Sequence, residues 1–174
     1  MEITVRKENS SNIKEVYEIN RLAFGQENEA RLVNLLRSSN AFIPELSLVA
    51  GFGDKLVGHI LFSKIVIVDK NRKEAESLAL APMAVIPEFQ QKGIGRRLVK
   101  SGLDKAKELN YKSVIVLGHE HYYPRFGFLP ADRWHIQAPF DVPANVFMAL
   151  ELIPNGLEGI SGTVKSLKQY NPMH

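Results

Sequence analysis

The stretch Gln90-Gln91-Lys92-Gly93-Ile94-Gly95-Arg96-Arg97-Leu98 decides how this chain is read. Two glycines stand one residue apart, flanked by cations, and a helix-patterned run follows at once. An apolar run ending at Pro87 comes before it. That order sets free backbone N–H groups at a helix N-terminus, a seat for an anion such as a phosphate or pyrophosphate. Glycine lets the backbone approach the ligand closely and take positive φ where the turn requires it. Two other phosphate motifs are excluded. The chain has no Gly-x-x-x-x-Gly-Lys-Ser/Thr, and a dinucleotide fingerprint would need glycine where Leu98 stands.

Outward from this turn the chain alternates between short elements. Glu2 to Arg6 reads as a first strand. Asn12 with Glu15 has the form of a capping box opening a helix. Ile13, Val16, Asn20 and Ala23 share one face of that helix, and Phe24-Gly25 breaks it. A second helix is expected over Glu27 to Arg37, with Leu32, Val33, Leu35 and Leu36 inward. Pro44 separates the helices from strands expected at Ser47–Phe52, Leu56–Val68 and Ala75–Val85. A bulge fits near Gly58. Pro82 suits an edge, a bulge or a place where pairing stops. A helix from about Ile94 to Leu109 follows the glycine turn, then a strand at Val114–Leu117 and a helical turn at Glu120–Phe126. Leu129 to Asn145 reads as a long ordered loop, with further strands at Val146–Leu152 and Ile160–Leu167. Strands first and strand–helix–strand crossovers later indicate an α/β (α+β) fold with a mixed sheet.

The 174 residues fit one domain spanning 1–174, and 45% hydrophobic with 24% charged residues is a globular composition. The absence of cysteine excludes disulfides, thiolate metal sites and a cysteine nucleophile, and fits a reducing compartment. The formal charge is +3, and its densest basic stretch, Lys92 to Arg97 with Lys100, lies on the anion turn. A nucleic-acid reader would show a basic stripe with interleaved aromatics. No run is long enough to span a bilayer. The expectation is a cytoplasmic protein, monomer or homodimer, with no nucleic-acid or membrane partner.

Gln90-x-x-Gly93-x-Gly95 resembles the acyl-CoA pyrophosphate loop of the GCN5-related N-acetyltransferase (GNAT) superfamily. The run Leu80-Ala81-Pro82-Met83-Ala84-Val85-Ile86-Pro87-Glu88-Phe89 resembles the strand and turn before that loop. The block Leu117-Gly118-His119-Glu120-His121-Tyr122-Tyr123-Pro124-Arg125-Phe126-Gly127-Phe128 resembles the later family motif of a tyrosine followed by Gly-Phe. The combination is similar to the bacterial YhbS-like branch, with the likeness concentrated between Ala75 and Ala131. It implies a single GNAT-like domain with a mostly antiparallel sheet, whose splayed strands form an acyl-CoA cleft. It implies acetyl-CoA as cosubstrate and no metal. The pyrophosphate would be held by N–H groups between Gln91 and Arg96, assisted by Lys92, Arg96 or Arg97. Pantetheine would pair with the backbone of Met83, Ala84 and Val85.

Acyl transfer to an amine requires a neutral amine, a donor for the developing oxyanion and a proton for the leaving thiolate. Tyr123, four residues before Gly127, matches the family tyrosine that acts as general acid. Aromatic packing beside Tyr122, Phe126 and Phe128 is its other reading. In some branches a carboxylate base stands eleven residues before the motif glutamine, where this chain has Ala79. Glu76 and His119 are the remaining candidates, or a base acting through water. His119-x-His121 lacks a third ligand, so no metal is expected. The acceptor site is expected between the first helices and the late loop. Its candidates are Phe24, Glu27 and Glu29, facing Trp134, His135 and Phe140. The expected activity is acetyl transfer to a primary amine of a small molecule or protein. A non-catalytic acyl-CoA-binding sensor or scaffold is the alternative, and a role with RNA rests on basicity alone.

Overall fold

The apolar periods of the sequence settle on the two sides of one sheet. A computed structural model of the chain describes residues 2–166. The strands are β1 (Thr4–Lys7), β2 (Phe42–Phe52), β3 (Lys55–Val68), β4 (Glu74–Val85), β5 (Ser113–Leu117), β6 (Leu129–Pro130), β7 (Ile136–Gln137), β8 (Phe147–Glu151) and β9 (Gly162–Ser166). The α-helices are α1 (Ile13–Phe24), α2 (Asn28–Arg37) and α3 (Ile94–Glu108). Strand order is β1-β2-β3-β4-β5-β8-β6, with β9 pairing to the far half of β3 and to β7. Among the described residues only the β4–β5 and β7–β9 pairs are parallel. The sheet is therefore mixed and mostly antiparallel, as expected.

Alternation along the strands divides the core. Ile60 and Phe62, Leu78 and Leu80, and Val114 and Val116 face Leu98 and Leu103 of α3. Leu61 and Ile65, Ala79 and Ile115 face the other way, with Leu32, Val33 and Leu36 of α2. The helices therefore cover opposite faces of the sheet.

A buried polar chain fixes α1 and α2 against that second face. Asn20 Nδ2 donates to the Val16 carbonyl at 3.0 Å and lies 3.2 Å from His59 Nδ1. An amide nitrogen only donates, so His59 Nδ1 accepts and Nε2 carries the proton. That proton points to Ser47 Oγ at 3.0 Å, and Ser47 donates to Glu8 Oε1 at 2.7 Å. Arg37 of α2 closes the chain with two bonds to the Glu8 carboxylate, at 2.9 and 3.0 Å.

Several expectations are corrected. Asn12 is the N-cap residue of α1 but makes no capping bond to it; the capping box stands one turn earlier, where the Asn9 side chain accepts from Ser11 N–H and Asn12 Oδ1 accepts from Asn9 N–H. A 3₁₀ turn, Ser10–Asn12, thus intervenes and Asn12 caps backwards. Leu35 is 53% exposed, because Leu32, Val33 and Leu36 fill the stripe that meets the sheet. Pro44 does not precede the strands but lies inside β2. There the register slips between Phe42–Ser63 and Ser47–Leu61, so a residue with no N–H costs no ladder bond. The late loop holds the short strands β6 and β7. The last expected strand is seen as β9, and Leu167 lies outside the described residues. No helix among the described residues is long and apolar enough to cross a membrane.

Candidate active site

The parallel strands β4 and β5 pair only at Leu78–Val114 and Ala79–Ile115. Beyond that β4 continues to Val85 and β5 to Leu117 with no pairing between them. Pro82 marks the departure. Leu80 to Met83 on β4 spans the same ladder as Phe62 to Ile60 on β3, so β4 carries one extra residue there. A cavity of about 850 Å³ occupies the gap and is lined from both faces of the sheet.

The register defines what β4 offers to this cavity. Ile86 N–H donates to the Val57 carbonyl at 3.0 Å. Counting back, Val85 opposes Gly58, Ala84 opposes His59 and Met83 opposes Ile60. Bonded and non-bonded pairs alternate in an antiparallel ladder. Ala84 therefore bonds to β3, while Met83 and Val85 turn their backbone groups to the open edge. Gln90 Nε2 donates to the Val85 carbonyl at 2.8 Å, which leaves the Val85 N–H and both groups of Met83 toward the gap.

At the end of this edge the chain turns into α3. Gln91 and Gly93 have φ of 61° and 82°, and Gly93 is the N-cap, with no side-chain cap. The N–H groups of Ile94, Gly95 and Arg96 have no intrahelical acceptor and border the cavity. A β-carbon on Gly95 would lie 3.1 Å from Met83 Cε and 3.3 Å from the Tyr122 hydroxyl, so this glycine lets three elements close together.

Tyr123 stands in a 3₁₀ turn, Tyr123–Phe126, after β5. Its N–H and that of Tyr122 both donate to the His119 carbonyl, at 3.3 and 3.1 Å. Gly127, with φ of 99°, ends the turn. The Tyr123 ring packs edge-on against Tyr122 and Phe128. Burial pushes its phenol up to about 12. Among the described residues no hydrogen bond engages its hydroxyl, and the side chain borders the cavity.

The cavity brings together most of the residues singled out in the sequence. Phe24, Glu29, Met83, Ala84, Val85, Gln90, Gln91, Gly93, Ile94, Gly95, Arg96, His119 and Tyr123 all line it. Four others do not. Glu76 is exposed and sits opposite Val66, on the paired half of β4. Trp134 packs against the core on the α2 face, and Phe140 takes its place at the cavity. Lys92 is exposed and does not border the cavity. Arg97 points back to β1 and donates to the Ile3 carbonyl. Sequence reasoning passed over Tyr122 and Arg125. The Arg125 guanidinium lies 4.7 Å over the Tyr122 ring, and both border the cavity beside the α3 N-terminus. The signal was present in the cation placed two residues after the tyrosine pair. Among the described residues no cluster of three metal-ligating side chains occurs.

Comparison with known proteins agrees with this geometry. The model of the acetyltransferase (GNAT) family matches residues 13–128. An uncharacterized N-acetyltransferase of Escherichia coli K12, YjhQ, is 39% identical over 136 residues, which is 76% of this chain and 74% of that protein. Another from the same strain, YhbS, is 31% identical over 152 residues, 87% of this chain and 88% of its own. The crystal structure of E. coli YhbS in complex with CoA superposes with a TM-score of 0.88 at 26% identity, covering 99% of this chain and 93% of that one. A GNAT family acetyltransferase from Brucella melitensis, in complex with acetyl-CoA, gives 0.79 at 26% identity, covering 98% and 99%. With the family model and the curated relatives in agreement with the splayed strands and the glycine turn, this chain belongs to the GNAT acetyltransferase family.

Proposed function

We propose that this protein transfers the acetyl group of acetyl-CoA to a primary amine, directly, with both substrates in the cavity at once. The observation that carries this is the meeting of an uncapped helix N-terminus and an unpaired strand edge in one cavity. The first suits a pyrophosphate, through the N–H groups of Ile94, Gly95 and Arg96 with the Arg96 guanidinium close by. The second suits the amides of pantetheine, through Met83 and Val85. When bound, acetyl-CoA supplies the activated acetyl group.

The chain's own residues then divide the work. An N–H on the open edge of β4 steadies the carbonyl oxygen as negative charge grows there. The Tyr123 hydroxyl, protonated across the neutral range, gives its proton to the departing sulfur. Cysteine is absent from the sequence, so no acyl-enzyme on sulfur forms. Ala79 occupies the position where other branches place a carboxylate, and it lines the cavity. Glu76 does not border it. In this reading the amine loses its proton to water or to His119, which borders the cavity, rather than to Glu76. The missing carboxylate is the one observation favouring an acyl-CoA sensor without turnover. A chain without cysteine suits the cytoplasm, which we keep as the proposed compartment.

Free CoA released on mixing protein, acetyl-CoA and a panel of primary amines tests the reading. Amine-dependent release supports transfer. Saturable acetyl-CoA binding with no release for any amine supports the sensor.

A further inference from the structure

The acceptor half of the cavity is unlike its coenzyme half. The cations Arg96 and Arg125 border the α3 side. The other half reaches into the core on the α2 face, where its walls are Leu32, Ile65, Ile115, Phe147 and Val164. These side chains are at least nine-tenths buried, with Ile65 only 1% exposed, yet they face empty space. Buried apolar side chains therefore form the walls of this half of the cavity. Phe24 from the end of α1 and Phe140 from the late loop stand at its lip.

Glu29 is the carboxylate that borders this space. It lies in the first turn of α2 and accepts from Gln26 Nε2 at 3.0 and 3.2 Å. No lysine or arginine pairs with it among the described residues. A half-buried carboxylate without a cationic partner, beside an apolar recess, complements an ammonium group on an apolar body. A peptide would carry an N–H and a C=O per residue into walls that offer them few partners.

Resting on the proposed acetyl transfer, we infer that the acceptor is a small primary amine with a hydrophobic body, alkyl or aryl-alkyl, rather than a lysine of a protein. Glu29 draws the ammonium form to the lip, and the apolar body fills the recess. The ammonium gives one proton to water. The neutral nitrogen bonds to the acetyl carbon as the carbon–sulfur bond breaks, and the Tyr123 proton passes to sulfur. The second proton of the nitrogen restores the Tyr123 hydroxyl, so the turnover yields an amide, a free thiol and one proton.

The test begins with acetyl-CoA alone. Failure of the coenzyme to bind removes the proposed function itself. With the coenzyme bound, kcat/KM is measured for ethylamine, butylamine and hexylamine, for 2-phenylethylamine and ethanolamine, and for a blocked Gly-Lys-Gly peptide. Binding of the same amines to the CoA-loaded protein is followed by calorimetry, so the ladder is read even if turnover is slow. The expected result is a rise of roughly 3- to 4-fold per added methylene, with 2-phenylethylamine about a hundredfold above ethanolamine and the peptide. Glu29→Gln should raise KM for 2-phenylethylamine about three- to fivefold and leave acetyl-CoA affinity unchanged. A flat ladder in both measurements, preference for the peptide or ethanolamine, or an unaltered KM in Glu29→Gln would overturn the inference while leaving coenzyme binding intact.

Discussion

The Tyr123 ring fills the space that a β-carbon on Gly118 would need: Cε2 lies 2.4 Å from that position and Cδ2 3.0 Å. The end of β5 and the tyrosine turn are therefore fitted to each other, and the glycine sets where the phenol stands. Gly118→Ala must displace the ring. We expect kcat to fall about tenfold to a hundredfold with acetyl-CoA affinity retained, since reacting groups lose rate quickly when misplaced. Tyr123→Phe should lower kcat by about 10²-fold or more, again without loss of coenzyme affinity. Steady-state kinetics with parallel calorimetry separates the two quantities. Unchanged turnover in Tyr123→Phe would take the hydroxyl out of the mechanism.

The pH profile follows from the same burial. The phenol is pushed up to about 12, so it remains a proton donor well into alkaline solution. No falling limb in kcat should arise from this group below about pH 10. A descending limb near pH 9 that disappears in Tyr123→Phe would contradict this.

The two loop glycines should fail differently. Gly93 has φ of 82° with open space where a side chain would go, whereas Gly95 is hemmed in by Met83 and Tyr122. Gly93→Ala should cost about 1 kcal/mol of stability from the left-handed backbone, read by urea denaturation, and should weaken coenzyme binding modestly. Gly95→Asp places bulk and negative charge on the N-terminus of α3 and should abolish detectable binding. Equal binding by wild type and Gly95→Asp would refute the anion-seat assignment.

Much of this site was legible because its signals are local. A glycine turn before a helix and a tyrosine four residues before Gly-Phe each sit within a short window of sequence. The strands were legible for the same reason, since β3 and β4 alternate over long runs. What escaped depended on distant partners. Arg97 and Arg96 are neighbours in sequence, and only tertiary packing decides that one reaches Ile3 while the other borders the cavity. Trp134 looked like a ligand-facing aromatic, but the turn that carries it packs onto the α2-side core. Leu35 was misassigned because a broad apolar stripe does not reveal how much of it the sheet will cover.

His59 gives a stability prediction with a definite sign. Burial, with Arg37 acting the same way and Glu8 opposing it, lowers its pKa from 6.5 to about 4. The folded protein therefore holds the ring neutral, and its contribution is fully present above about pH 6.5. As the pH falls from 6.5 toward 4 the unfolded chain takes up the proton first, and stability on the order of 3 kcal/mol is lost. Below that the term levels off. Urea denaturation of wild type and His59→Gln across this range isolates it. Parallel curves for the two proteins would show that His59 does not titrate as described.

Arg37 and Glu8 test whether the buried chain holds α2 to the sheet. Their side chains are 14% and 7% exposed, so removing one partner strands the other charge. Arg37→Met should destabilise by about 3 kcal/mol, measured by chemical denaturation. A loss below about 0.5 kcal/mol would place the pair among ordinary surface bridges.

The central claim is that the gap between β4 and β5, closed by the N-terminus of α3, binds acetyl-CoA. Isothermal titration of the protein with acetyl-CoA tests it most directly. Saturable heat at one coenzyme per chain, absent in Gly95→Asp, is the predicted result. No heat and no thermal shift with millimolar acetyl-CoA on folded wild-type protein would contradict it.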